Sequence, residues 1–520
     1  MDAGAGPARP AALPLPAAAP ALPVVPEARG PRVPEQVRLR MATRERLLAS
    51  GTDPYPPSFR PHQTARDLDE AAVGQPASLA GRVVAVRDLG GVLFVVLRDW
   101  TGDVQLLLDR DQVGRAAMDR LRRDVDLGDH LGAEGTVVRS RSGQVSLGVR
   151  DWLLTAKSLR PPPDLRRGLR DPETKVRQRY LDLTVNPVAR ERLRSRSAVL
   201  GAVRRTLDSR GFLEVETPIL QTVHGGANAR PFRTHINAYD LDLYLRIAPE
   251  LFLKRLMVGG VDRVFEIGRN FRNEGADATH NPEFTMLEAY EAYGDYTTMR
   301  HVAQEIVLAA SRAVSGGTLV RGTDADGVEH EVDLAHDWPV VTVNDAISAA
   351  AGTEVTADTD KAALLALAGR LEIAVDGSWT RGNVLLELYE HLVESRTVRP
   401  IFYTDFPAEV SPLTRQHRVD PRLAERWDLV AFGAEIGTAY SELVDPVVQR
   451  ARLTAQSLQA AGGDPEAMEL DEDFLLALEH AMPPSGGLGM GMDRLVMMLT
   501  QASIRETITF PLVRPRTDGR

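Results

Sequence analysis

The stretch FEIGRNFRNEGADATHNPEFTMLEAYEAY, Phe265–Tyr293, decides how this 520-residue chain is read. Successive side chains leave a strand on opposite sides, so Phe284, Met286, Glu288 and Tyr290 point to one face. At about 3.3 Å per residue, Phe284 and Tyr290 lie roughly 20 Å apart. A core strand explains Phe284 and Met286. It explains Glu288 badly, because a buried carboxylate without a partner is costly. The preceding RNFRNEG puts Arg269, Arg272 and Glu274 at a turn closing on Gly275. Arginine forks bind phosphate oxygens bidentately, although a surface ion-pair cluster gives the same local pattern. Arginines, an aromatic ring and a distant carboxylate with a phenol suit a nucleotide polyphosphate and a cationic small molecule held side by side. That points to activation of an amino acid by ATP.

Two downstream segments extend the pattern. In AEIGTAYSEL, Ala434–Leu443, residues Thr438, Tyr440 and Glu442 share a face, so Glu442 and Glu288 could flank a ligand ammonium. Glu435 has the opposite parity and joins them only through a bulge. Asp428 and Glu435 are of the type that hold Mg²⁺ beside substrate phosphates; two acids on a solvated edge are the plainer reading. GLGMGMDRL, Gly487–Leu495, is a glycine-rich approach to a helix with Arg494 in its first turns. It resembles phosphate-cradling loops but lacks the Lys-Ser/Thr ending of a P-loop and opens no βαβ unit with a later ribose-binding acid.

Composition sets the outer bounds. The length suggests two or three domains, and 43% hydrophobic with 26% charged residues is ordinary for a soluble globular protein. Without cysteine there is no disulfide framework and no thiolate chemistry, which fits a cytoplasmic protein. The net charge of −10 requires any nucleic-acid contact to use a local basic face. No apolar run approaches the roughly 20 residues that span a bilayer, and the N-terminus lacks the basic region of a secretory signal.

Residues 1–34, rich in Ala and Pro, read as a disordered leader, followed by a helix over Glu35–Ser50 and a small domain reaching residue 160. Five short strands between Ala77 and Leu159, with a helix between the third and fourth, give the order of an OB barrel, a common single-stranded nucleic-acid fold; strand count alone leaves a mere spacer barrel equally open. The basic, proline-rich run after it makes 161–185 a hinge. From 186 to 515 lies an α/β-textured region with a helix over Asn186–Ser209 and a strand over Phe212–Leu220. Periodicity weakens between Ser315 and Arg399, with one helix at Asn383–Ser395; this reads as an insertion.

Together, RQRYLDL, GFLEVETPIL, GGANARPFRTHINAYDLDLYLRIAPELFLKRLMVGG, the FEIGRNFRNEG to EAYGDY block, DFPAEVSPL and GLGMGMDRL resemble the signature motifs of class II aminoacyl-tRNA synthetases. More narrowly they are similar to lysyl-tRNA synthetases with an N-terminal OB domain, from about Pro34 to Pro515. The resemblance implies an α+β fold: an OB barrel followed by a mixed, mostly antiparallel sheet flanked by helices, forming a homodimer through the motif around Pro218. It implies that Glu250, near the backbone of Gly226, takes the lysine α-amino group. Glu288, Tyr290 and Glu442 would bind the ε-ammonium, with Thr438 and Tyr440 in the same pocket. Arg272 would grip the ATP α-phosphate, Phe284 would stack on adenine, and Arg494 would bind the γ-phosphate end. Glu274, His280, Asn281 and Glu435 would complete the nucleotide site, with Asp428 and Glu435 holding Mg²⁺, more than one ion being expected. Arg272 and Arg494 would be the catalytic pair, acting without a covalent nucleophile.

In the barrel, Arg87, Phe94, Gln105 and Gln144 fall at anticodon-contact positions of tRNA(Lys). Four residues depart from the common pattern: Thr438 for asparagine, Tyr440 for phenylalanine, Asp428 for glutamate, and Gln144 for an acidic residue. The chain also resembles the synthetase portion of actinobacterial LysX-type proteins, which are fused to a membrane lysyl-phosphatidylglycerol synthase. Without that membrane half it would supply lysyl-tRNA to a separate lipid-modifying enzyme or to translation. A ligase that attaches lysine-like amino acids to a protein generally lacks the barrel, and the intact Arg272, Glu288, Glu442 and Arg494 oppose an inactive, tRNA-binding regulatory paralogue.

Overall fold

The computed structural model describes residues 34–515 apart from 166, 278, 325 and 462–467. The expected leader therefore lies outside the described residues, save Pro34. The chain divides into two compact units, Met1–Leu165 and Arg166–Arg520.

In the first unit, helix Glu35–Ala49 precedes a closed barrel. Its strands are Pro76–Asp88, Val92–Arg98, Asp103–Asp109, His130–Arg139 and Val145–Ala156, the last lying between the third and fourth. Alternate residues such as Leu93, Val95 and Leu97 on one strand, and Leu106 and Leu108 on the next, fill the interior. Helix Arg115–Asp124 turns Met118 and Leu121 onto that core between the third and fourth strands. Closure leaves no free sheet edge.

The second unit is built on an eight-stranded sheet. It runs Val340–Thr342, Ile401–Pro407, Leu423–Ala431, Ala434–Ser441, Ser485–Gly491, Glu283–Ala292, Arg263–Phe271 and Leu213–Glu214. Pairing is antiparallel except at the two edges, where Val340–Thr342 and Leu213–Glu214 pair in parallel. Helices Pro187–Ser209 and Tyr296–Ser315 cover one face. Val199, Val203 and Leu207 of the first, with Met299, Val302 and Ile306 of the second, meet Phe265, Leu287, Ala289, Leu488 and Met490 of the sheet. Leu287 and Ala289 are thus spent on the core, which sends Met286, Glu288 and Tyr290 to the other face.

Three expectations need correction. The Phe212–Leu220 run is not one strand: only Leu213–Glu214 pairs with the large sheet, and Leu220–Gln221 joins a separate three-stranded sheet. Between them Thr217 turns aside to bond Glu266 through both its N–H and its hydroxyl. The hinge at 161–185 contains two short helices, Pro172–Arg177 and Arg179–Val185, the first capped by Asp171 with proline at its start. The insertion holds three helices, Val343–Ala351, Lys361–Arg370 and Arg381–Leu392, where one was expected. Thr342, Asp360 and Thr380 cap them, and they bury Ile347, Leu364 and Leu388 in a core of their own. That segment also supplies the Val340–Thr342 edge strand.

No helix among the described residues is long and apolar enough to cross a membrane. Helix Tyr296–Ser315 starts at Asp295, whose carboxylate accepts the N–H groups of Thr297 and Thr298 and pairs with Arg418. Asp295→Ala should cost about 0.5–2 kcal/mol, read as a lowered denaturation midpoint with the fold unchanged by circular dichroism.

Candidate active site

The opposite face of the large sheet floors a cavity of about 450 Å³, within the range of small-molecule sites. Its walls include Gly226, Glu250, Arg272, Glu274, His280, Asn281, Phe284, Glu288, Tyr290, Glu435, Thr438, Tyr440 and Arg494. Most residues singled out from the sequence of this unit therefore meet in one place. Asp428 and Glu442 do not line the cavity.

The floor depends on a strand that the sequence disguises. Residues Ser485–Gly491 form no phosphate loop; they are the strand between Glu283–Ala292 and Ala434–Ser441. Gly487, Gly489 and Gly491 pair with Tyr290, Glu288 and Met286, and Gly487 and Gly489 also pair with Tyr440 and Thr438. A Cβ on Gly487 would stand 1.8 Å from a Glu442 carboxylate oxygen and 2.7 Å from the Tyr290 ring. One on Gly489 would stand 2.8 Å from the Met286 methyl. Alternating glycines remove one row of side chains, and the neighbouring strands fold their large polar groups over the gap.

At one end of the cavity the charge is positive. The Arg272 guanidinium lies 5.1 Å from the centre of the Phe284 ring, within cation–π range. Its Nε is buried without a hydrogen-bond partner among the described residues, and burial holds its pKa below the ordinary arginine value against nearby Glu274, Glu435 and Glu288. Arg494 Nη1 donates to the Glu435 carbonyl at 2.9 Å, and Nη2 lies 3.3 Å from His280 Nε2. Arg494 opens from a helix, Met492–Thr500, that is fastened by Asp493. That carboxylate accepts from Arg196 at 2.5 Å and from the Thr285 N–H at 2.7 Å. Glu274 accepts the Arg230 N–H, and the Asn281 amide donates to the Glu283 carbonyl.

At the other end the charge is negative. Glu288 is buried, accepts the Tyr290 hydroxyl at 3.2 Å, and faces Glu250. Burial and the Glu250 carboxylate push its pKa well above the ordinary range. Behind this end lies a residue that sequence reading passed over. Lys254 is fully buried, with Nζ 2.6 Å from Glu250 Oε1 and 2.5 Å from Glu442 Oε2. Although burial alone would lower it, the two carboxylates raise its pKa and hold it as an ammonium. The signal was present: Glu250 and Lys254 are four apart on one helix, the spacing of an intrahelical ion pair.

The bulge that Glu435 requires exists. Leu429 pairs with Gly437 and Val430 with Glu435, leaving Ile436 as the extra residue. This flips the parity of the strand and brings Glu435 to the cavity beside Thr438 and Tyr440. Asp428 is turned to Arg426, which donates to its two oxygens at 3.0 and 2.8 Å. Burial, against the Arg426 cation, pushes the Tyr440 phenol up to about 12. Among the described residues no group of three or more His, Asp or Glu could hold a metal by itself. Mg²⁺ commonly takes one or two carboxylates and completes its shell with phosphate and water; Glu435 offers such an oxygen on the cavity wall, whereas Asp428 could offer its own only by giving up the Arg426 pair.

In the barrel, Arg87 and Phe94 are register partners, with the guanidinium 5.4 Å from the ring centre. Gln105 is buried and donates to the Ser146 hydroxyl at 2.9 Å. Gln144 is exposed, its N–H bonded to the Ser140 hydroxyl.

An antiparallel sheet with parallel edges, a cavity polarised along its floor and a separate OB barrel define a synthetase of the second class. Residues 171–514 match the family of class II tRNA synthetases (D, K and N), and residues 77–155 match the OB-fold nucleic acid binding domain. The chain belongs to that synthetase family. It is 57% identical over 487 residues to the lysylphosphatidylglycerol biosynthesis bifunctional protein LysX of Nocardia farcinica, covering 94% of this chain and 43% of the relative. Against the protein of that name from Mycolicibacterium vanbaalenii it is 58% identical over 486 residues, covering 94% and 44%. The chain thus spans less than half the length of these curated relatives.

The raised pKa of Glu288 carries a stability cost. Between the unfolded value, about 4.3, and the raised native value, the native state binds more protons, so stability falls as pH rises. Glu288→Gln imitates the protonated side chain. Its thermal midpoint should exceed that of the parent at pH 8, with the difference shrinking towards pH 4; a gain independent of pH would contradict the assignment.

Proposed function

We propose that the chain is a lysine–tRNA ligase, activating L-lysine with ATP and transferring the lysyl group to the 3′ end of tRNA(Lys). One observation carries this reading: a single cavity with arginines and an aromatic ring at one end and buried carboxylates at the other. The gathered carboxylates support a cationic side chain: burial beside Glu250 keeps Glu288 from ionising in the empty cavity, and the ε-ammonium of lysine would favour its charged form. A neutral side chain would leave a buried carboxylate unpaired, at a cost of about 3–5 kcal/mol.

In this reading Phe284 stacks on adenine and Arg272 holds the α-phosphate. Arg494 holds the outer phosphates, and Glu274, His280 and Asn281 complete the nucleotide site. Gly226 and Glu250 receive the α-amino group. Glu288 and Tyr290 receive the ε-ammonium, Glu442 holds Lys254 in place behind them, and Thr438 and Tyr440 flank the aliphatic stem. A lysine carboxylate oxygen attacks the α-phosphorus; the bond to the bridging oxygen breaks, and pyrophosphate leaves with the electron pair. A ribose hydroxyl of the tRNA then attacks the lysyl carbonyl, loses its proton, and AMP departs. The protein contributes alignment and charge neutralisation through Arg272 and Arg494. Glu435 and Asp428 are the carboxylates that would hold Mg²⁺, which when bound neutralises phosphate charge.

The protein would act in the cytoplasm as a homodimer joined around Pro218. The exposed Leu213, Ile219 and Leu220 of that segment support an apolar partner surface. The relatives' names favour a second reading, in which the lysyl-tRNA serves lysylation of phosphatidylglycerol.

The tRNA half of the proposal is tested by charging tRNA(Lys) with lysine. An Arg87→Ala/Phe94→Ala double variant should weaken use of tRNA by about 5- to 100-fold, from lost base stacking, with adenylate formation intact. Unaltered charging would remove the barrel from the reading.

A further inference from the structure

The bulge that carries Glu435 into the cavity is held from both sides of one residue. The Glu435 carbonyl accepts from Arg494 Nη1 at 2.9 Å, and the Glu435 N–H donates to Glu394 Oε1 at 3.2 Å. Glu394 belongs to a short 3-10 turn, Glu394–Arg396, inside the segment that reads from sequence as an insertion. The residues that follow the turn grip the same hairpin: the Phe432 N–H donates to the Val398 carbonyl at 3.1 Å, and the Gly433 N–H to the Thr397 carbonyl at 2.8 Å. Gly433, at φ +73°, admits the approach, because a Cβ there would stand 3.0 Å from the Ser395 carbonyl oxygen. Thr397 is fixed in turn by its hydroxyl, bonded to the Val393 carbonyl and the Tyr403 phenol.

The charge around Glu394 is unusual for a structural acid. It faces the carboxylates of Glu435, Asp428 and Glu390, with the Arg494 cation nearby. A carboxylate among carboxylates is costly, so ion pairing does not explain its place. A backbone bond does. A bulge leaves one residue outside the ladder, and its neighbouring N–H needs another acceptor; Glu394 supplies it.

We propose that Glu394 is a positioning residue: its carboxylate oxygen accepts the Glu435 N–H, and so fixes the bulge that aims Glu435 and, through the Glu435 carbonyl, Arg494 at the phosphate end of the cavity. The inference rests on the ATP end of the proposed function and extends it to a segment outside the signature motifs. It distinguishes the hydrogen bond from the charge. Glu394→Gln keeps an acceptor oxygen and Glu394→Ala does not.

Steady-state ATP–pyrophosphate exchange with lysine would be compared for the parent, Glu394→Ala and Glu394→Gln, each checked for its thermal midpoint. Glu394→Ala should raise KM for ATP and lower kcat by about two- to tenfold in all, the range of one lost hydrogen bond. KM for lysine should stay near the parental value, and Glu394→Gln should restore most of the loss. Equal impairment in both variants, an equal rise in KM for lysine, or no change in Glu394→Ala would overturn the proposal. Should the parent show no lysine-dependent exchange, the proposed substrate fails, and Glu394 is judged on calorimetric binding of ATP with Mg²⁺. The same order, parent and Glu394→Gln above Glu394→Ala, would support it, while absence of ATP binding by the parent would overturn both.

Discussion

Lys254 sets the terms for the acidic end of the cavity. Its ammonium is sealed between Glu250 and Glu442, with no solvent to share the charge. Breaking a buried pair of this kind is worth about 3–5 kcal/mol, so the three groups hold one another in place. Glu288 and Tyr290 then stand beside a fixed acidic cluster, and burial with that neighbour keeps Glu288 from ionising easily. An arriving cation would relieve the strain. In the proposed reading, the end that would bind the amino acid is therefore the end that destabilises the empty protein, a common exchange of stability for function.

Room for this cluster comes from the sheet. A strand with glycine at every second position lies between two strands with large polar residues on the same face. Without it, Glu442 and Tyr290 would collide with a side chain. The opposite face of the same strands is apolar and carries two long helices, so the core fixes the orientation of every residue on the site face. A one-residue bulge then adds Glu435, and its carbonyl ties Arg494 to the same edge. The polarity of the cavity thus follows from strand parity, broken once where a carboxylate is needed.

Parity was legible in the sequence wherever strands were regular. Phe284, Glu288 and Tyr290 could be set on one face from spacing alone, and the strand-helix order of the barrel could be read from alternation and glycine. A bulge has no such signature: Ile436 looks like any other strand residue, and only the opposing strand reveals it as extra. The glycines of Gly487–Gly491 suggested a loop because glycine usually marks turns, whereas here they answer to side chains contributed by distant segments. The two insertion helices that went unread, Val343–Ala351 and Lys361–Arg370, are short and rich in alanine, so their periodicity is weak, although Thr342 and Asp360 mark their starts. Lys254 sat in plain view four residues after Glu250, but its second partner, Glu442, is 188 positions further on. Contacts of that separation are set by the fold.

One cavity is divided by charge, and the amino acid activated there tests that division most directly. ATP–pyrophosphate exchange should be measured with lysine and with norleucine, which keeps nearly the same stem without the ε-ammonium. Lysine should support exchange, and norleucine should be weaker on the order of 10²- to 10³-fold, as expected when a buried carboxylate loses its partner. Equal exchange with both, no exchange with lysine, or stronger exchange with another amino acid would contradict it.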